Sequence, residues 1–164
     1  MKELLDIFSA NQRKFIFGST TAVITNMGLA VGLYFIPNAR VSIIGSILLI
    51  AIADNVSDSL GIHIYNEAER FRTPEVWLTT IMNYFTRLVA SLVFIIFFIF
   101  FPLWWATVTS LIYGYLVLIV VSYFIARERK SNPVLATVEH LIIATAVLVI
   151  SVILGSFISN GFRY

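Results

Sequence analysis

From Leu88 to Ala126 the chain has 39 consecutive residues without a charged side chain. A helix rises about 1.5 Å per residue and the hydrocarbon of a bilayer is about 30 Å thick, so roughly 20 apolar residues make one crossing. This run is therefore too long for one span and too apolar for a water-exposed surface. Pro102, within the stretch FFPLWW, divides it, and Trp104 and Trp105 suit an interface where amphipathic rings settle. Three further stretches meet the length requirement. Phe15 to Pro37 lies between Lys14 and Arg40 with no charge inside it. Arg40 to Glu67 is interrupted by Asp54, Asp58 and His63, and Pro133 to Ile158 has Glu139 and His140 near its start. The pattern predicts an all-α bundle of five transmembrane helices, at about 15–37, 41–66, 76–101, 103–126 and 133–158, in a single domain covering 1–164.

Composition agrees. Hydrophobic residues make up 59% of the 164 and charged residues 12%, about half the usual charged fraction of a soluble domain. A soluble chain of this length has too little interior for that much apolar surface. The absence of Cys excludes a disulfide framework, a thiolate metal site and a cysteine nucleophile. A net charge of +2, scattered along the chain, gives no footprint for nucleic acid.

The connections are short. Pro37-Asn38-Ala39 and Lys130-Ser131-Asn132-Pro133 read as tight hairpins between helices. Eight basic residues (Lys2, Arg13, Lys14, Arg70, Arg72, Arg127, Arg129 and Lys130) fall on the N-terminal side of the membrane, against Arg40 and Arg163 on the other. The positive-inside rule then predicts a cytoplasmic N-terminus and an external C-terminus. Residues 1–14 lack the core and cleavage site of a secretory signal; Leu4, Leu5 and Phe8 with Lys2, Glu3 and Arg13 suit a short helix lying on the cytoplasmic surface. A chain without a targeting peptide fits a prokaryotic cytoplasmic (inner) membrane.

Two carboxylates stand where the bilayer penalises them. Asp54 and Asp58 are four residues apart, about 40° on a helix, with Gly61 and Tyr65 continuing the same stripe. A carboxylate at this depth costs several kcal/mol unless it is paired, protonated or wetted. Like charges one turn apart repel, so the pair is suited to hold protons or a cation. Arg87, inside or at the edge of the third span, offers a structural alternative as a buried ion-pair partner for one of them. His63 points about 180° from Asp54 and reads as a hydrogen-bonded histidine near the cytoplasmic end.

In the first helix Thr21, Thr25, Gly28 and Gly32 share a face. Gly28-Leu29-Ala30-Val31-Gly32 is a small-xxx-small pattern that permits close helix approach. Beside the two acids it suggests helices near enough to share a ligand, since hydroxyl and carboxylate oxygens suit Mn²⁺ or Fe²⁺. Dense packing without function explains the pattern equally well. Asn26 lies on another face and suits an interhelical hydrogen bond. Glu67, Glu69 and Glu75, mixed with Arg70 and Arg72, form either a solvated loop or a cation-capturing entrance. Glu139 and His140 either line the path or reach toward the headgroups.

Three segments carry a resemblance to the vacuolar iron transporter family. FGSTTAVITNMGLAVGL resembles its Gly-rich first helix, ADNVSDSLGIHIYNEAE its second, and NPVLATVEHLIIATAVLVISVILGSFI its closing segment. The resemblance implies a homodimer that exports Fe²⁺ or related divalent ions from the cytosol in exchange for protons, along a dimer-axis path between the first two helices of each subunit. It also implies that Asp54, Asp58, Thr21 and Thr25 line that path, that Gly28, Gly32 and Gly61 let the helices approach, and that no cofactor is needed beyond the transported ion. The chain departs from the family in three respects. Thr21 stands near the position of a usual Asp, Asp58 stands where a Met is common, and the long Glu-rich cytoplasmic metal-binding domain between the second and third helices is missing. Hard oxygen ligands without the sulfur serve Mn²⁺ or Mg²⁺ about as well as iron.

Two other classes compete. Lipid-head-group transferases also carry D-x-x-x-D in a membrane helix, but they resemble one another through a further upstream Asp-x-x-Asp-Gly, and here only Glu3 and Asp6 precede Asp54. The chain is therefore not expected to be an enzyme. The remaining alternative is a non-transporting membrane protein whose buried acids serve helix packing.

Overall fold

The computed structural model describes residues 20–161. The expected interfacial segment 1–14, the first residues of the expected first span and Arg163 lie outside the described residues. Within them the chain is helical throughout, without a strand. Four helices are long and apolar enough to cross a bilayer: α2 (Ala39–Ala68), α3 (Thr73–Phe100), α4 (Leu103–Glu128) and α5 (Pro133–Gly161). Their ends fall within three residues of those read from the charge-free runs. A shorter apolar helix, α1 (Thr20–Phe35), precedes them.

Local chemistry sets the helix ends. The last turn of α1 tightens into a 3-10 turn over Leu33–Phe35, and Ile36 is extended ahead of Pro37, as a residue before proline must be. Asn38 then takes the left-handed conformation (φ 54°), which its short polar side chain tolerates, and starts α2. Pro74 and Pro133 occupy the first turns of α3 and α5, where the missing N–H costs nothing. Asn132 caps α5 by accepting hydrogen bonds from the Val134 and Leu135 amides at 3.0 and 3.3 Å. α2 and α4 end alike: Arg70 and Lys130 are left-handed, and Phe71 and Ser131 return their amides to the carbonyls of Asn66 and Ala126. The break between α3 and α4 falls at Phe101–Pro102, both extended in ψ.

α3 is the most buried of the spanning helices and α5 the least. Phe94 and Phe98 of α3 meet Val23 and Met27 of α1, Ile43 and Ile47 of α2, and Leu118 of α4 in a single apolar core. Outward faces of all four long helices carry exposed Ile, Leu and Val, with exposed Phe added on α3, α4 and α5, the composition lipid contact requires.

The glycines of α1 serve a different neighbour from the one expected. A Cβ at Gly28 would stand 3.1 Å from Ser151 Oγ, and one at Gly32 would stand 3.2 Å from the Ser151 carbonyl oxygen. A Cβ at Gly155 would fall onto the Gly32 carbonyl. The small-residue stripe therefore joins α1 to α5 within the chain, rather than bringing α1 onto the acidic face of α2. Periodicity identifies a face; it does not name the partner.

Candidate functional site

The central polar feature grows from α3. Arg87 lies at the middle of this 28-residue helix and is 2% exposed. A guanidinium at that depth needs every donor satisfied, because bare burial of a charge costs several kcal/mol. Nε donates to Asn55 Oδ1 at 2.8 Å and Nη1 to Thr21 Oγ1 at 2.9 Å. Nη2 donates to Asp54 Oδ2 at 2.9 Å, and Nη1 also reaches Asp58 Oδ2. One side chain of α3 thus joins α1 and α2.

The backbone of α2 presents these acceptors. Residues Ile50–Asp54 form a π-helical turn, which resets the register in the middle of the span. Beyond it, Asn55 points fully inward and is fixed by its own Nδ2 donating to the Ala51 carbonyl at 2.9 Å. Asp54 and Asp58 flank it, with side chains 50% and 44% exposed. Arg87 takes Oδ2 of each; the two Oδ1 atoms accept no hydrogen bond among the described residues. Each carboxylate is therefore held through Oδ2 while its side chain stays about half exposed. The ion pair expected for one acid involves both.

A polar ladder continues along the α2–α3 contact. Asn83 Nδ2 donates to Ser59 Oγ at 3.2 Å, and His63 Nδ1 lies 3.0 Å from Thr80 Oγ1. Thr80 donates its own hydroxyl proton to the Val76 carbonyl at 2.8 Å, so its oxygen accepts from His63 Nδ1–H. The other ring nitrogen, Nε2, faces Glu67 Oε1 at 3.5 Å, and the ring meets Trp77 edge-on. Successive rungs (55 with 87, 59 with 83, 63 with 80) follow the antiparallel course of the two helices.

The other residues singled out in the sequence lie elsewhere. Thr21 joins the cluster through Arg87. Thr25 instead lines the shallow groove between α1 and α5 with Gly28, Gly32 and Ser151, and no bond between Thr25 and the acids forms among the described residues. Among the described residues Gly61 meets nothing within 4 Å and Tyr65 is exposed, so that their stripe, with Asp54 and Asp58, is a face of α2 that no described residue covers. Glu67, Glu69 and Glu75 are exposed at the α2–α3 connection, and of these Glu67 faces His63. On α5, Glu139 is exposed and His140 Nδ1 is tied to Ser122 Oγ of α4 at 2.7 Å. Asn26 makes the expected interhelical bond, donating to Ser91 Oγ at 2.9 Å.

The sequence reading missed Asn55 as an acceptor, and Ser151 and Gly155 as the surface that receives α1. Asn55 carried a usable signal, since an amide between two acids in an apolar helix needs a buried partner. Among the described residues no three His, Asp or Glu side chains of one chain gather as a metal site. Compared with protein-family models, with curated proteins and with solved structures, the chain matches none.

Proposed function

We propose that this membrane protein exchanges a divalent cation of the Fe²⁺/Mn²⁺ class for protons, at a seam where the Asp54–Asp58 faces of two chains meet. The observation that carries the reading is the half-open position of two carboxylates at mid-span. Asp54 is 15 residues from one end of α2 and 14 from the other. Hydrocarbon does not accept an ionised carboxylate there, so the open side faces water or protein. A second copy of the same stripe would supply that protein: small residues at Gly61 and Ser57 for approach, and a matching carboxylate pair across a two-fold axis. Carboxylate and hydroxyl oxygens suit hard or borderline divalent ions. Thr21 would add an oxygen only when Arg87 releases it, and Thr25 contributes to the α1–α5 groove instead.

Direction follows from the basic residues. Arg70, Arg72, Arg127, Arg129 and Lys130 lie at the α2–α3 and α4–α5 connections, whereas Arg40 is at the opposite end, bonded to the Phe101 carbonyl. The positive-inside rule assigns the first end to the cytoplasm, where Glu67, Glu69 and Glu75 would meet the ion before export. A prokaryotic inner membrane is consistent with this orientation.

One observation favours a second reading, a non-transporting helix bundle. Arg87 engages both acids and ties three helices together, which is what a structural staple would do. Thermal unfolding of the purified chain with Mn²⁺, Fe²⁺ or Co²⁺ separates the two. Ligand at about a hundred times its dissociation constant adds about 2.7 kcal/mol of stability, a rise of several degrees. Transport requires that rise in the wild type and its loss in Asp58→Asn. A melting temperature indifferent to all three metals supports the staple.

A further inference from the structure

We infer that the end of the bundle away from the α2–α3 connection binds an anionic phospholipid, its phosphate on Arg40 and one acyl chain in the cleft between α1, α4 and α5. The inference needs the helices to span a bilayer and nothing from the transport reading. Val31, Tyr34 and Phe35 of α1, Trp104 and Leu111 of α4, and Val152 of α5 line this cleft of about 300 Å³ with aliphatic and aromatic surface. A helix of a second copy, about 10 Å across, is too wide to enter it, whereas an acyl chain is thin enough. Ser159 Oγ donates to the Phe35 carbonyl at 2.7 Å, which ties the α1 wall to the α5 wall. Tyr34 meets Trp104 edge-on at 6.5 Å, and both rings carry a polar tip that suits the ester and phosphate level of a lipid.

Charge selects the headgroup. Among the described residues of 28–45, 95–110 and 148–161, which form this end, Arg40 is the one charged side chain. It is exposed, and Nη2 donates to the Phe101 carbonyl at 2.8 Å, which holds the guanidinium in place. The rest of its five N–H donors meet no carboxylate among the described residues, and a phosphate accepts two of them at once. Trp104 follows Phe101 by three residues, so their Cα atoms are at most about 11 Å apart. A phosphate on Arg40 is therefore within reach of a chain lying along Trp104. A guanidinium that only capped the end of α3 through that carbonyl would give no lipid preference.

Quenching by brominated lipids tests this on the full chain in phosphatidylcholine vesicles. Of the three Trp, Trp77 and Trp105 are replaced by Phe, which leaves Trp104 as the reporter. Phosphatidylglycerol brominated on its acyl chains is expected to occupy the site about fivefold more strongly than brominated phosphatidylcholine, the effect of one interfacial cation. Arg40→Gln should remove that preference, Arg40→Lys should keep most of it, and Val152→Phe should reduce quenching by both lipids. Equal occupancy by the two lipids before Arg40 is changed means ordinary surrounding lipid and overturns the inference, as does a preference that survives Arg40→Gln. If Arg40→Gln does not fold, raising salt from about 0.05 to about 0.5 M must lower the preference with Arg40 in place, and an unchanged ratio overturns the inference instead. Glycerol 3-phosphate in solution should leave the preference intact; its abolition would mean that Arg40 takes free phosphate and that the cleft plays no part. Quenching by neither lipid means that protein covers the cleft, a second copy included, and likewise overturns it.

Discussion

Asp54 Oδ2 lies 2.9 Å from Arg87 Nη2, and each residue stands at the midpoint of its own spanning helix, α2 or α3. The pair is asymmetric in exposure: the guanidinium is buried, whereas the carboxylate is half open. A fully buried pair would serve packing alone. Here the carboxylate side chain is 50% exposed, and the proposed exchange would use that exposed side.

Replacing Arg87 by Met should destabilise the isolated chain by about 2–4 kcal/mol, since it strands a buried Asn55 acceptor and leaves two neighbouring carboxylates unpaired. The open side of both acids keeps the figure toward the lower end. Asp58→Asn, which preserves a hydrogen-bond acceptor for Nη1, should cost less than half as much. Thermal or denaturant unfolding in the same detergent compares the two, and equal losses would show that charge at Asp58 matters as much as the whole Arg87 network.

At the α1–α5 contact, Gly155→Ala places a methyl on the Gly32 carbonyl and should cost about 1–3 kcal/mol through displaced backbone. Gly61→Ala meets nothing within 4 Å among the described residues and should leave subunit stability unchanged or raise it by up to about 1 kcal/mol, the helix propensity difference. Unfolding of the two variants side by side checks the contrast; similar effects would mean that α1 does not rest on α5 as described.

Gly61 also tests the proposed seam. If two chains meet there, Gly61→Leu adds bulk to the stripe and should weaken their association while sparing the fold of each chain. The chain contains no Cys, so single-cysteine variants at Ser57 and Gly61 need no background changes. Disulfide-linked dimers are expected at both positions. Their absence would contradict a seam on this face of α2.

Lys130 closes α4 with φ 55°, a conformation that costs a residue with a Cβ about 1 kcal/mol. Lys130→Gly should recover roughly that amount in unfolding measurements without altering metal response. A loss of stability would indicate that the lysine side chain contributes more than its backbone strain removes.

Spans, hairpins and the acidic stripe were legible in the sequence because they depend on patterns the chain displays: charge-free length, proline, and a four-residue repeat. Pro102 marked the α3–α4 break, and Pro37-Asn38 the first hairpin. Three things were not legible. The π turn at Ile50–Asp54 leaves no periodic trace within five residues. The partner of Gly28 and Gly32 depends on which helix fills the space, and Ser151 and Gly155 are inconspicuous in an apolar run. Arg87 was visible as the one charge in an apolar stretch of α3, yet its grip on both acids follows from the antiparallel register of α2 and α3, which only the packed structure fixes.

The most direct test of the central claim is internal pH in proteoliposomes while a Mn²⁺ gradient is imposed across the membrane, for the wild type and for Asp54→Asn with Asp58→Asn. The account predicts Mn²⁺ movement with a proton flux in the opposite direction in the wild type, and neither in the doubly substituted chain when it is folded and inserted. Coupled flux of equal size in both proteins would contradict it.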